Sequence, residues 1–301
     1  MAEKRWNVVF DTDIGPDCDD VGALMLLLNM EKEGLCTLSA VTHSTSSPFG
    51  CGCVDAICRA EGRDDVPIGT LKRGGVCCGF NDGKYNEVIS GLYKNRFSGG
   101  REAPDAVRVM RQAFVENDAV LLIAVGPLGN IADFLQSGPD DLSPLSGIEL
   151  ARAKCPRFVC MGGMLSGDRR EFNFIVEPEA TRFVLANWPT EIEFSEFNAG
   201  ADVETGATLS QTLGRLHPAA LAYALYRPHG RASFDQTAVY QAILPENDLF
   251  ELSERGWMSL DDEKATVWTP DPAGRHRWFK KAQSKEAVGA VIDAWMMKSA
   301  K

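Results

Sequence analysis

An apolar run at the amino end, Trp6 to Phe10, opens into a turn that holds five aspartates within ten residues, Asp11, Asp13, Asp17, Asp19 and Asp20 around Gly15. The chain then resumes as DDVGALMLLLNM, Asp19 to Met30. The first run reads as a strand covered on both faces, and the second, apolar all round, as a helix pressed against a sheet. Such a strand, loop and helix unit is the building block of a parallel sheet, whose ligands bind beyond the carboxyl ends of the strands. The acidic cluster stands at such an end.

The alternation continues along the chain. Strands are predicted at Thr37 to Val41, Ala119 to Val125, Arg157 to Met161 and Glu191 to Phe194. Helices are predicted at Val54 to Glu61, 103 to 116, Asn130 to Gln136, Pro178 to Asn187 and Ser284 to Met297. The pattern implies an α/β fold, a mostly parallel central sheet with helices on both faces, built as a single domain over residues 1–301. Two stretches are less periodic. Leu71 to Gly100 reads as a Gly-rich mobile loop over the site, and Met258 to Val267 as a β excursion.

With 301 residues and 45% hydrophobic content, the chain can bury a sizeable core. A net charge of −11 and the lack of any Lys/Arg block give nucleic acid no electrostatic footprint. The apolar run that follows Met1 to Trp6, with its two basic residues, is too brief for a signal segment or a membrane span, and nine cysteines lack the spacing of a secreted scaffold. The expectation is a cytoplasmic protein with no membrane partner.

Carboxylates a few ångströms apart raise one another's pKa, so a cluster this dense is tolerable mainly when a divalent cation neutralises it. Hard oxygen donors with no His or Cys in the segment point to Ca²⁺ or Mg²⁺ rather than zinc. Helix capping alone would account for Asp19 and Asp20 but not for Asp11 or Asp13. Three further segments carry polar groups at strand ends or helix starts. Val125-Gly126-Pro127-Leu128-Gly129-Asn130 is a glycine turn whose carbonyls could reach a cation, and Asp235 is an isolated acid before an apolar stretch. Glu171 and Asn173, after Met161-Gly162-Gly163, are an acid and an amide suited to gripping a diol; exposed positions on an edge strand are the plain alternative.

Together these segments resemble the inosine-uridine-preferring nucleoside hydrolase family. Asp11-Thr12-Asp13-Ile14-Gly15 followed by Asp19-Asp20-Val21-Gly22-Ala23-Leu24 is similar to the family's DxDxGxDD signature, Gly126 to Ala132 to its GPLxNIA, and Met161 to Gly163 with Glu171 to Ala180 to its MGG…EFNxxxDPEA. The resemblance implies an N-ribohydrolase in which a water activated on Ca²⁺ and deprotonated by an Asp attacks C1′ of a nucleoside or related N-riboside. By position it makes Asp13 ligand and general base, and Asp20, Asp235 and the Val125 carbonyl further ligands. Asp19, Glu171 and Asn173 would hold ribose hydroxyls, Met161 would line the sugar pocket, and Asp11 would support the ligands. It also implies a homo-oligomer, dimer or tetramer.

The chain departs from that pattern in places. Three residues, Pro16-Asp17-Cys18, stand between Gly15 and Asp19 where the family has one, so Asp17 could displace Asp19 or join the metal ligands. The family's His-Asp-Pro is here Phe234-Asp235-Gln236, which removes the His that serves as acid toward a purine. His43, near the end of the second strand, could take that role; His217, His229 and His276 have weaker claims. The Met161 to Glu171 loop looks shorter than the common form. Cys51, Cys53, Cys58, Cys77 and Cys78 cluster without the Cys-x-x-Cys spacing of a zinc knuckle. Two competing functions remain open: a nucleoside- or ribose-binding protein that kept the calcium pocket without turnover, and a Mg-dependent haloacid-dehalogenase-type phosphatase opening on Phe10-Asp11-Thr12-Asp13.

Overall fold

The computed structural model describes residues 6–76, 85–97 and 102–298. Twelve strands are formed among them: β1 Trp6–Thr12, β2 Cys36–His43, β3 Ile68–Thr70, β4 Val120–Ala124, β5 Arg157–Met161, β6 Glu191–Ser195, β7 Glu204–Thr205, β8 Arg231–Ala232, β9 Phe250–Leu252, β10 Gly256–Leu260, β11 Thr266–Pro270 and β12 His276–Lys281. Ten of them make one sheet in the order β11-β10-β12-β6-β5-β4-β1-β2-β3, with β9 paired to β12. From β3 to β6 every pairing is parallel, and β12 continues parallel to β6. Only β9, β10 and β11 run antiparallel to their neighbours in this sheet.

The apolar runs dictate this arrangement. Val8, Val9, Phe10 and Leu121 to Ala124 are fully buried, which requires cover on both sheet faces. One face packs on the helices Asp19–Lys32, Gly50–Ala60, Phe234–Ile243 and Lys285–Met296, the other on Ala106–Glu116, Gly129–Gln136, Gly147–Lys154 and Pro178–Asn187. Asp19–Lys32 touches β2 and the helices Pro218–Tyr226, Phe234–Ile243 and Lys285–Met296 together, so it is buried from Asp19 to Met30. Its all-round apolar sequence follows from having no free face.

Because β1 pairs with β2 on one side and β4 on the other, the chain winds away from β1 in both directions. That reversal opens a crevice at the carboxyl ends of the strands. Register brings the flanking segments level: Asp11 lies opposite Ala124, Ala124 opposite Cys160, and Val125 N–H donates to Asp11 O at 2.8 Å.

One expectation is corrected, and two others gain their bounds. Leu71 to Gly100 is not a loop over the site throughout: Tyr85–Leu92 is a helix packed on Gly50–Ala60 and Pro218–Tyr226, while 77–84 and 98–101 lie outside the described residues. Tyr85 donates to Asp17 O, and Asn86 Nδ2 lies 3.4 Å from Ile14 O, so this helix props the acidic turn from behind. The β excursion expected at Met258 to Val267 is present as a hairpin, β10 and β11, turning at 261–265. Val54 lies in a helix as expected, one that starts at Gly50; a Cβ on Gly50 or Gly52 would meet the His43 ring or Ser90 Oγ at 2.1 Å, so both positions need glycine. Among the described residues no helix is long and apolar enough to cross a membrane.

Candidate active site

A cleft of about 350 Å³ opens at the carboxyl ends of β1, β4 and β5. It is lined by Asp13, Pro16, Asp17 and Asp19 from the first turn, Val125 after β4, and Met161, Met164, Arg170, Glu171, Phe172 and Asn173 after β5. Phe197, Arg231, Phe234 and Asp235 close it. Segments up to 222 residues apart therefore meet in one hollow.

Each carboxylate is held by its local fold. Asp13 follows β1 directly and is 5% exposed. The turn after β4 presses against it: a Cβ on Gly126 would sit 2.8 Å from Asp13 N and 2.4 Å from Ser44 Oγ, so the approach needs glycine. Asp19 and Asp20 start a helix, where backbone N–H groups favour negative charge. Thr12 Oγ1 donates to Asp20 Oδ1. Asp235 lies in the first turn of Phe234–Ile243 and is 4% exposed, far from the surface position an isolated acid suggests.

Asp11 does not line the cleft. Its Oδ2 accepts from Thr42 Oγ1 at 2.5 Å and from Asn130 Nδ2 at 2.8 Å, which ties β1 to β2 and to the helix after β4. Asn130 was not singled out from sequence for this part; its signal was the amide closing the Gly126 to Asn130 turn.

Glu171 is a helix cap rather than an edge-strand residue. Its carboxylate accepts from Asn173 N at 2.8 Å, Phe174 N at 3.1 Å and Gly163 N at 3.3 Å. Asn173 Nδ2 donates to Val125 O at 2.9 Å and approaches Met161 O and Sδ at 3.4 and 3.2 Å. The Val125 carbonyl thus keeps one lone pair, and the Asn173 amide oxygen remains for a ligand.

Burial sets the electrostatics. It holds Asp13 well above the ordinary carboxylate range, reinforced by Asp20, Asp17 and Asp19. Asp19 and Asp235 are raised in the same way, burial first and neighbouring aspartates next. Asp20, Asp11 and Glu171 are each pushed up to about 7, chiefly by burial. Asp19 Oδ1 and Asp20 Oδ2 are buried without a hydrogen-bond partner, and Asp17, Asp19 and Asp20 offer oxygens within 4.8 Å of one another. Orphaned acceptors in an all-oxygen set fit a hard divalent cation, which would reverse these upward shifts.

His43 is corrected. It is fully buried, its ring packs against Gly50 and meets Thr45 Oγ1 at 3.1 Å, and it is absent from the cleft lining. Burial lowers it to about 4, so it is a neutral core residue. His276 is likewise buried, and neither it, His217 nor His229 lines the cleft. Cys51, Cys53 and Cys58 are buried thiols of one helix, and Cys77 and Cys78 lie outside the described residues. Arg231, Arg170 and the rings of Phe172 and Phe197 were missed from sequence, because nothing local marks a side chain that reaches a distant cleft.

The sequence model described as "Inosine-uridine preferring nucleoside hydrolase" matches residues 8–280. The chain belongs to this family. The whole fold agrees: the inosine-uridine preferring nucleoside hydrolase from Bacillus anthracis superposes with a TM-score of 0.72 at 16% identity, covering 98% of this chain and 99% of that one. The purine-preferring ribonucleoside hydrolase from Gardnerella vaginalis gives 0.74 at 18% identity with the same coverage. The type III effector XopQ, solved with adenosine diphosphate ribose, gives 0.69 at 12% identity, covering 100% and 96%. A search of curated proteins found no match. Family membership excludes the haloacid-dehalogenase reading, which also left the Gly126, Glu171 and Asp235 segments without a part.

Proposed function

We propose that this nucleoside hydrolase family member is a calcium-dependent N-ribohydrolase that cleaves the bond between a ribosyl C1′ and the nitrogen of a nucleoside or related N-riboside. The observation that carries the reading is the convergence of Asp13, Asp19, Val125, Met161, Glu171, Asn173 and Asp235 on one cleft. Asp13, Asp20, Asp235 and the Val125 carbonyl would hold Ca²⁺. When bound, the ion would lower the pKa of a coordinated water and neutralise the cluster. Asp13 takes the proton of the attacking water. Asp19, Glu171 and the Asn173 amide oxygen accept the ribose hydroxyls, fixing C1′ over Asp13 while Met161 excludes solvent beneath the sugar. The surrounding carboxylates stabilise the oxocarbenium-like charge as the C–N bond breaks.

Phe234 in the position of a general acid favours a second reading, a ribose-binding protein without turnover, because an acid contributes about 10² to 10⁴ in rate. A reducing-sugar assay over a nucleoside panel, with and without EDTA, separates the two. Calcium-dependent sugar release supports the hydrolase; tight ribose binding with no turnover of any member overturns it. We further propose that the protein is a cytoplasmic homo-oligomer.

A further inference from the structure

Building on the hydrolase reading, we propose that Arg231 is the leaving-group residue, and that the substrates are ribosides whose base departs as an anion stabilised by its guanidinium. The cleft lining mixes carboxylates, Asp13, Asp17, Asp19 and Asp235, with aromatic rings, Phe197 and Phe234 above all. The two rings lie 5.0 Å apart between centroids and offer a departing base an apolar wall. A cation beside that wall meets the charge that develops as the bond breaks.

Arg170 and Arg231 are the two cations lining this cleft among the described residues. The Arg170 side chain is 53% exposed and turned onto Asp168, whereas Arg231 is 19% exposed. The Arg231 guanidinium lies 5.2 Å from the centroid of the Phe234 ring, the residue standing where the family carries its acid. Nη2 is held by Asp17, and buried Nε has no hydrogen-bond partner, lying 3.7 Å from Asp19 Oδ1. An unused donor beside an aromatic ring suits a planar nitrogen heterocycle.

The longer first turn and the lost His then become one exchange. Pro16-Asp17-Cys18 extends the turn, Asp17 anchors an arginine, and that arginine replaces proton donation by charge stabilisation. The step balances: water oxygen bonds to C1′, its proton passes to Asp13, the C1′–N bond breaks, and its electron pair leaves on the base as an anion beside Arg231. The base takes a proton from solvent after release.

The test compares leaving groups. Wild type, Arg231→Met and Arg231→Lys are assayed with calcium on inosine, uridine and 4-nitrophenyl riboside, whose phenolate leaves without assistance, while melting temperature and calcium binding are recorded. The expected loss in kcat/KM for Arg231→Met on the nucleosides exceeds that on the nitrophenyl riboside by tenfold or more, with Arg231→Lys recovering part of it. Equal losses on all substrates overturn the inference and reduce Arg231 to a clamp on Asp17. If Arg231→Met does not fold, the same comparison with Arg231→Lys decides. Absence of turnover by wild type on every substrate overturns the hydrolase reading itself, a distinct result.

Discussion

Asn130 donates from Nδ2 to Asp11 Oδ2 at 2.8 Å, joining the end of β1 to the helix after β4 across 119 positions of sequence. Thr42 supplies a second donor to the same oxygen, while Asp11 Oδ1 has none. Asn130→Ala should destabilise the fold by about 1–3 kcal/mol, since it strips a buried carboxylate of one of two partners. A thermal melt reads the loss, and a calcium titration should show weaker binding through the loosened turn. An unchanged melting point removes Asp11 from its supporting role.

On the proposed mechanism, Asp13→Ala would take away a ligand and the proton acceptor together. Turnover should fall below detection and calcium affinity should drop. Activity near that of wild type would refute the assignment. Asp235→Ala probes the proposed ligand most distant in sequence, and undiminished calcium content in that variant would show that this carboxylate does not hold the ion.

Chelation should cost stability as well as activity. A ligand that binds only the folded state at about 100 times its Kd adds roughly 2.7 kcal/mol. Adding calcium to EDTA-treated protein should therefore raise the melting temperature by several degrees, and magnesium by less, because Mg²⁺ demands near-octahedral geometry and gives up its waters reluctantly. Identical melts with and without calcium would argue against any ion in the cluster.

Acid should weaken the fold through His276. Burial lowers this imidazole to about 4 from its ordinary 6.5, helped by Arg275, while Nδ1 accepts from Met258 N–H at 2.9 Å. The folded state thus refuses a proton that the unfolded chain accepts. The contribution is intact above pH 6.5 and is lost as pH falls toward 4, by about 3 kcal/mol at most. His276→Asn keeps an acceptor and removes the titration, so its stability should decline less than wild type over that window. Parallel acid profiles would exclude the mechanism.

Much of the fold was readable from local pattern, because burial on both faces writes itself into consecutive apolar residues. The runs at β1, β2, β4, β5 and β6 announce a parallel sheet, and helical periods announce most of its cover. The later elements, Pro218–Tyr226, Phe234–Ile243 and β12, were not delimited from sequence, and the Tyr85–Leu92 helix was hidden in a Gly-rich stretch.

What the sequence by itself determined is the chemistry available: a dense set of aspartates after an apolar strand, a glycine turn, an acid–amide pair, and a late acid whose order resembles one enzyme family. Charge repulsion between near neighbours is a local property, so it is visible in a linear string. Only the tertiary structure decided which groups share a cavity. It drew Arg231 onto Asp17 across 214 positions, withdrew His43 into the core, and turned Asp11 from the cleft toward Asn130. Those outcomes depend on strand order and on helix packing at long range, and no residue carries that information alone.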